Sequence, residues 1–342
     1  MAHSTHYAAP LGAAVLSTIL AMSLGAQGTP AAAAPSLHIE HEATIPPGQV
    51  QPSSRRDVAI TARGTSYLLD ARSDRVYAFT RSGQLRTTLV LTPPNAASHV
   101  AGFLLAPYRD DGLLVYDAFG GRVHAYRWQS PTTLAEVADV SIGAAMAKDL
   151  CAIGDTVFLL ADQAGHMIHA YGLNGGRGRS FGEAPGSNRF VRSALIGAGG
   201  HLTCLRDADA VVVGLAASGL VEAYHANGSL LWKFAVPGFS GLDLRTMPDS
   251  SVQMSWQGAA RDAVVSVFGV APDTVAVQVR RLAAAGGGLQ TILVRIRDGH
   301  SVGAQQDLPM MRRAAGAWMI STEDVAPLHA NVYAIRGTDG GK

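Results

Sequence analysis

Charge is in short supply in this sequence. Asp, Glu, Lys and Arg make up 15% of the 342 residues, and 27 basic groups against 26 acidic ones leave a formal net charge of +1. With apolar residues at 48%, so little charge excludes a generally disordered chain and permits a large core. So even a balance offers no basic stripe, and no nucleic-acid partner is expected. Catalytic signatures are missing too. There is no G-x-S-x-G elbow, no H-E-x-x-H pair and no P-loop, and the runs Gly175-Gly176 and Gly286-Gly287-Gly288 open no phosphate-binding helix. Cysteine is limited to Cys151 and Cys204, and long apolar runs to Leu11–Ala26.

That apolar run, LGAAVLSTILAMSLGA, carries no charge and precedes the small residues Ala31 to Ala34. It is short against the roughly 20 residues of a membrane span. Residues 1–36 therefore read as a signal peptide and small-residue linker, cut after Ala26 or within Ala31–Ala34. An uncleaved anchor is the alternative, because His3 and His6 stand where a Lys or Arg is usual. No Cys follows the run, which excludes a lipoprotein anchor, and no second spanning segment follows. Residues 37–342 are expected to be exported, to the periplasm or beyond, with no other membrane contact.

What the chain does have is a repeat. TSYLLDARSDRVYAFTRSG from Thr65 reads as strand, acidic turn, strand and Gly turn, and returns from Leu113, Val157 and Val211. Weaker copies start at Thr274 with Ile292, and at Trp318. The second strand of each pair aligns as Val76-Tyr77-Ala78-Phe79, Val123-His124-Ala125-Tyr126, Ile168-His169-Ala170-Tyr171, Val221-Glu222-Ala223-Tyr224, Leu293-Val294-Arg295-Ile296 and Val332-Tyr333-Ala334-Ile335. Their starts are 47, 45, 53, 72 and 39 residues apart, near the ~40–50 of a four-stranded propeller blade. The longest gap holds an insertion around Gly238 to Gly258. Alanine at the third position suits a place where neighbouring sheets press close. Asp70, Asp117 and Asp162 suit Asx-type turns, and Gly83, Gly175, Gly228 and Gly299 suit turns needing positive φ. Such units cannot bury their faces alone, so they stack around an axis. The expectation is an all-β, six-bladed β-propeller of four-stranded antiparallel blades. The alternating strand Leu37–Ile45 should complete the last blade and close the ring.

At these residues a family resemblance becomes concrete. Residues 65–85 resemble an NHL-type repeat, with Asp70, Asp74-Arg75-Val76, Phe79 and Gly83 at matching places. Phe181-Gly182-Glu183-Ala184-Pro185-Gly186, up to Phe190, is similar to the inter-blade loop of secreted bacterial six-bladed propellers. Asp324-Val325 and Asn331 to Ile335 resemble the ending of those chains. The resemblance runs from about residue 37 to 336. It departs in blade five, which lacks the acidic turn, and in blade four, where Gly214 to Ala216 replaces it.

Site candidates are few. Arg56, His99, Lys148, His201, Arg261 and Arg313 all fall just ahead of the strand expected to line the central channel. Six basic groups there would favour a carboxylate, sulfate or phosphate ligand, although Asp57, Asp149 and Asp262 each follow one of them and offer neutralisation. Cys151 and Cys204 each lie 20 residues before the aromatics Tyr171 and Tyr224, so they share one place in adjacent blades. Either a disulfide or two buried thiols fits that placement. His124 and His169 share a repeat position with Tyr77 and Glu222, expected on a polar blade face. His166 and His169 do not project together from a strand, so no metal site is assigned. Trp232, Trp256 and Trp318 suit a sugar platform or blade core, and Asn227-Gly228-Ser229 suits a hairpin turn.

The leading expectation is a non-catalytic binding or scaffold module of the cell envelope, for a small anionic molecule, a carbohydrate or a protein, with no catalytic residue and no cofactor assigned. The alternative follows from the resemblance. Related-looking six-bladed propellers include metal-dependent lactonases and amidating lyases, with the metal in the central channel.

Overall fold

The computed structural model describes residues 36–45, 57–71, 73–92, 100, 102–143, 146–176, 178–183, 186, 189–247, 252–255, 261–282, 287–322 and 329–338. The expected signal peptide and linker, Arg56, His99, Trp256 and Asp324-Val325 lie outside them. Six antiparallel four-stranded sheets follow the repeat. Blade 1 is β2 (Val58–Ile60), β3 (Ser66–Asp70), β4 (Arg75–Phe79) and β5 (Leu85–Val90), and blade 2 is β6 (Gly102–Tyr108), β7 (Gly112–Asp117), β8 (Arg122–Ser130) and β9 (Thr133–Ser141). Blade 3 is β10 (Asp149–Ile153), β11 (Thr156–Gln163), β12 (His166–Gly172) and β13 (Arg179–Glu183). Blade 4 is β14 (Gly200–Leu205), β15 (Ala210–Leu215), β16 (Leu220–His225) and β17 (Leu230–Ala235). Blade 5 is β20 (Ala263–Ala271), β21 (Thr274–Arg281), β22 (Gly288–Arg295) and β23 (Ser301–Gln305).

Blade 6 takes three strands from the end of the chain, β24 (Met311–Ala315), β25 (Trp318–Thr322) and β26 (Ala330–Thr338). Its fourth is β1 (Leu37–Ile45), which pairs antiparallel with β26 from Leu37 opposite Thr338 to Ile45 opposite Ala330. The N-terminal strand therefore closes the ring. The first strands β2, β6, β10, β14, β20 and β24 each touch the next and return to β2, so they surround a common axis. Antiparallel order puts the turns between first and second strands of every blade on one face. The blade-to-blade connections lie on the other.

Apolar side chains fill the seams between blades. One buried cluster occupies each of the six seams, from Leu69, Leu105 and Val115 between blades 1 and 2 to Ile45, Ile60 and Val332 between blades 6 and 1. Ala78, Ala125, Ala170 and Ala223 are at most 3% exposed and face these seams. A larger side chain there would meet the neighbouring sheet.

Local sequence explains the turns. Asp117 Oδ1 accepts the N–H groups of Phe119 and Gly120 at 3.0 Å each, the Asx arrangement expected. Gly83, Gly175, Gly228 and Gly299 all have positive φ.

Three features differ from expectation. In blades 3 to 6 the N–H of Leu173, Ala226, Ile296 and Ile335 bonds the turn after the first strand, at Asp155, Asp209, Asp273 and Ala317. By that marker Val294 and Tyr333 occupy the place of Tyr171 and Tyr224. The aligned segments of blades 5 and 6 therefore sit two residues too far along, a slip the strand period of two conceals. The loop beyond Phe181 carries a helix, α1 (Arg189–Gly197), whose Val191, Leu195 and Ile196 are buried. Within the insertion, β18 (Asp243–Thr246) pairs with β19 (Val252–Ser255).

Candidate functional site

The first strands enclose a channel of about 680 Å³. Its walls come mostly from small or apolar residues of β10, β14, β20 and β24, for example Ala152, Gly269 and Ala315. Arg109 and Arg206, in the turns between first and second strands, and Arg336 of β26 stand at its mouth, and Arg313 at the opposite end.

Arg313 reaches across the axis. From blade 6 its Nη1 donates to Asp149 Oδ2 of blade 3 at 2.9 Å, while Nη2 contacts Asp149 Oδ1 and lies 3.6 Å from Asp57 Oδ2 beside blade 1. The carboxylates are themselves anchored. Asp149 Oδ2 accepts the Leu202 N–H of blade 4, and Asp57 Oδ2 the Leu105 N–H of blade 2, both at 2.7 Å. Five blades thus meet through one guanidinium and two carboxylates. Burial would lower the Arg313 pKa, but Asp149 and Asp57 outweigh it and hold the pKa above its ordinary value. Burial raises the Asp57 pKa, against the pull of Arg313. His201, beside this group on β14, is pushed down to about 4, mainly by burial, so its imidazole is neutral at pH 7.

Of the described basic residues at the strand heads, Arg313 lines the channel, whereas Lys148, His201 and Arg261 are not among its lining. Cys151 on β10 and Cys204 on β14 are joined in a disulfide, with Cα atoms 5.6 Å apart, and form part of the wall. His124, His169 and Glu222 are 5%, 1% and 0% exposed rather than on a polar face. The fourth strand covers them and supplies partners: Glu136 to His124 at 3.0 Å, Ser180 to His169 at 2.7 Å and Lys233 to Glu222 at 2.6 Å. Among the described residues, His124, Glu136 and Asp139 form one group with donor atoms within 4.8 Å of one another. Arg122 Nε, 2.6 Å from Asp139, already brings a positive charge to it. Trp232 is core, its Nε1–H donating to Ile296 O at 2.5 Å.

Sequence reasoning passed over Trp128 and the arginines Arg63, Arg109, Arg127 and Arg206, which line a second cleft on the face of the channel mouth. A signal was present. Arg63, Arg109 and Arg206 occupy the same turn of blades 1, 2 and 4.

Six four-stranded blades around a channel define a six-bladed β-propeller. No known family profile matches the chain, and no curated protein matches its sequence. Among solved structures, a member of the duf4221 family from Bacteroides vulgatus superposes with a TM-score of 0.56 over 89% of this chain and 99% of that one, at 10% identity. A virginiamycin B lyase from Staphylococcus aureus gives a TM-score of 0.47 over 88% and 99%, at 9% identity. A protein of unknown function from Bacteroides caccae gives 0.47 over 76% and 85%, at 10% identity. At such identities the likeness is one of fold.

Proposed function

We propose that this chain is an exported, non-catalytic binding propeller of the NHL-like kind, which takes a small anionic or carbohydrate ligand into its central channel. The channel of about 680 Å³ carries the reading. Mostly apolar walls with a few fixed polar groups at one end are the usual form of a small-molecule site. Of the basic set Arg56, His99, Lys148, His201, Arg261 and Arg313, the last is the group that a ligand in the channel would reach. The disulfide supports export, because such bridges persist in oxidising compartments.

One observation weighs against the alternative, a hydrolase or lyase with a channel metal. A divalent cation needs converging carboxylates, and at the point where Asp57 and Asp149 converge the Arg313 guanidinium already stands.

Calorimetric titration with a panel of small carboxylates, uronic acids and neutral oligosaccharides tests the proposal. At least one should bind the parent protein, and Ala315→Phe, which narrows the channel, should abolish that binding without lowering the melting temperature. Binding that survives Ala315→Phe would remove the channel from the account. One tightly held metal per chain, with turnover of a lactone, would move the protein to the enzyme class.

A further inference from the structure

The second cleft lies over the first turn of blade 2, beside the channel mouth, with residues of blades 1, 3 and 4 around it and a volume of about 580 Å³. Arg63, Arg109, Arg127 and Arg206 line it together with Asp110, Asp111, Trp128 and Ile153. Much of this frame is fixed. Asp111 accepts hydrogen bonds from Thr65 Oγ1 at 2.6 Å and Thr61 Oγ1 at 3.3 Å, and Arg86 stands 3.6 Å from it. The Asp111 carbonyl accepts from Tyr67 Oη at 2.9 Å, and that hydroxyl accepts from Trp128 Nε1 at 2.9 Å. The Arg86 guanidinium covers the Trp128 ring at 3.5 Å and donates to Pro131 O at 2.6 Å. Arg109 is a non-glycine residue at φ 53°, and its Nη2 donates to both Asp155 oxygens, at 2.7 and 2.8 Å. Backbone strain of this sort persists only where the surroundings impose it. Arg206 reaches from blade 4 to Asp110 at 2.8 Å. Gly112 leaves no room for a side chain, since a Cβ would stand 2.6 Å from Tyr126 O.

Two cations are left over. Arg63 and Arg127 are exposed and make no ion pair or side-chain hydrogen bond among the described residues. Counting Arg86, five guanidiniums in or behind the wall face three carboxylates, Asp110, Asp111 and Asp155, an excess of two positive charges. Like charges lining one cleft repel, and a doubly charged anion relieves that repulsion where a monoanion relieves half. Guanidinium groups match the planar edges of oxyanions with paired N–H donors. Beside them, Trp128 and Ile153 offer an apolar surface for whatever carries the anion.

We propose that this cleft binds the phosphate group of a phosphate monoester, held by Arg63 and Arg127, with the organic part lying against Trp128 and Ile153. The site shares Arg109 and Arg206 with the channel mouth, but Arg63 and Arg127 lie outside the channel lining, and the proposal does not rest on the channel reading. Arg109 and Arg206, already paired, set its walls and potential.

Calorimetry at pH 7.5 and constant ionic strength, with inorganic phosphate, phenyl phosphate and chloride, tests the assignment. Phenyl phosphate should bind several-fold more tightly than phosphate, and chloride should not compete at equal concentration. Arg63→Ala combined with Arg127→Ala should weaken phosphate binding at least tenfold, whereas Arg295→Ala, on blade 5 and in the lining of neither the cleft nor the channel, should leave it unchanged. Trp128→Leu should remove the preference for the phenyl ester while keeping phosphate binding. Ala315→Phe should alter neither ligand, which separates this site from the channel. The proposal is overturned if the double variant binds within twofold of the parent, if the parent binds no phosphate, or if Ala315→Phe abolishes binding.

Discussion

Arg313, Asp57 and Asp149 tie the head ends of opposite blades together, and His201 sits beside them as a neutral imidazole. Its folded pKa of about 4 lies below the ordinary 6.5, so the unfolded chain binds the proton more strongly. His201 therefore contributes stability above pH 6.5 that is lost as pH falls toward 4. Asp57 acts the other way. Its folded pKa is raised by burial, so its contribution is present in acid and is lost as pH rises. Denaturant unfolding at pH 7 and pH 4.5 should separate the two. In the parent, His201 costs the fold about 1–3 kcal/mol over that interval. The variant His201→Asn should show a shallower loss on acidification, and equal slopes for variant and parent would mean the imidazole does not titrate with folding. The order Arg313-to-Asp149 was invisible to sequence reasoning. Only its ingredients, a base at each strand head with an acid after it at three of the six, could be read.

At the scale of the element, the third strand of each blade was legible because an alternating pattern with a small residue at one place has few other uses. Its two errors, at Leu293 and Val332, came from a shift of two that leaves the buried face unchanged. Helix α1 was missed because its nine residues follow Phe181 and Gly186 in what resembles an irregular loop. The disulfide belongs to this scale as well. Cys151 and Cys204 are 53 residues apart in sequence and clamp the first strands of blades 3 and 4. Closing that loop restricts the unfolded chain, a stabilisation of about 2–4 kcal/mol. Cys151→Ser with Cys204→Ser should lower the unfolding free energy by that amount, and reductant should lower the parent's melting temperature but not the variant's. Identical behaviour of parent and variant in reductant-free buffer would show that the bridge adds nothing.

For the whole molecule, the ring depends on β1. Glu40 and Glu42 of that strand pair with Arg336 of β26 at 2.6 and 2.5 Å, and Ile45 packs against blades 1 and 6. Removing residues 37–45 would leave β26 as an unpaired edge of a three-stranded blade, open to pairing with another chain. The truncated protein should melt at a lower temperature and elute from size exclusion as oligomers, and a peptide of sequence LHIEHEATI should restore the monomer. A monomeric truncation with parental stability would contradict closure by this strand.

The sequence by itself determined the number of blades, their four-strand plan and the strand that closes them. Each rests on a local pattern of period-two burial, acidic or Gly turns and a recurring small residue, which blades 1 to 4 carry most fully. Only the tertiary structure decided which charges meet. Arg313 finds Asp149 across the axis, and Arg63 and Arg127 share a cleft with Arg206 from another blade. Those meetings depend on how far each blade turns about the axis and on where long side chains reach, neither of which a single repeat encodes.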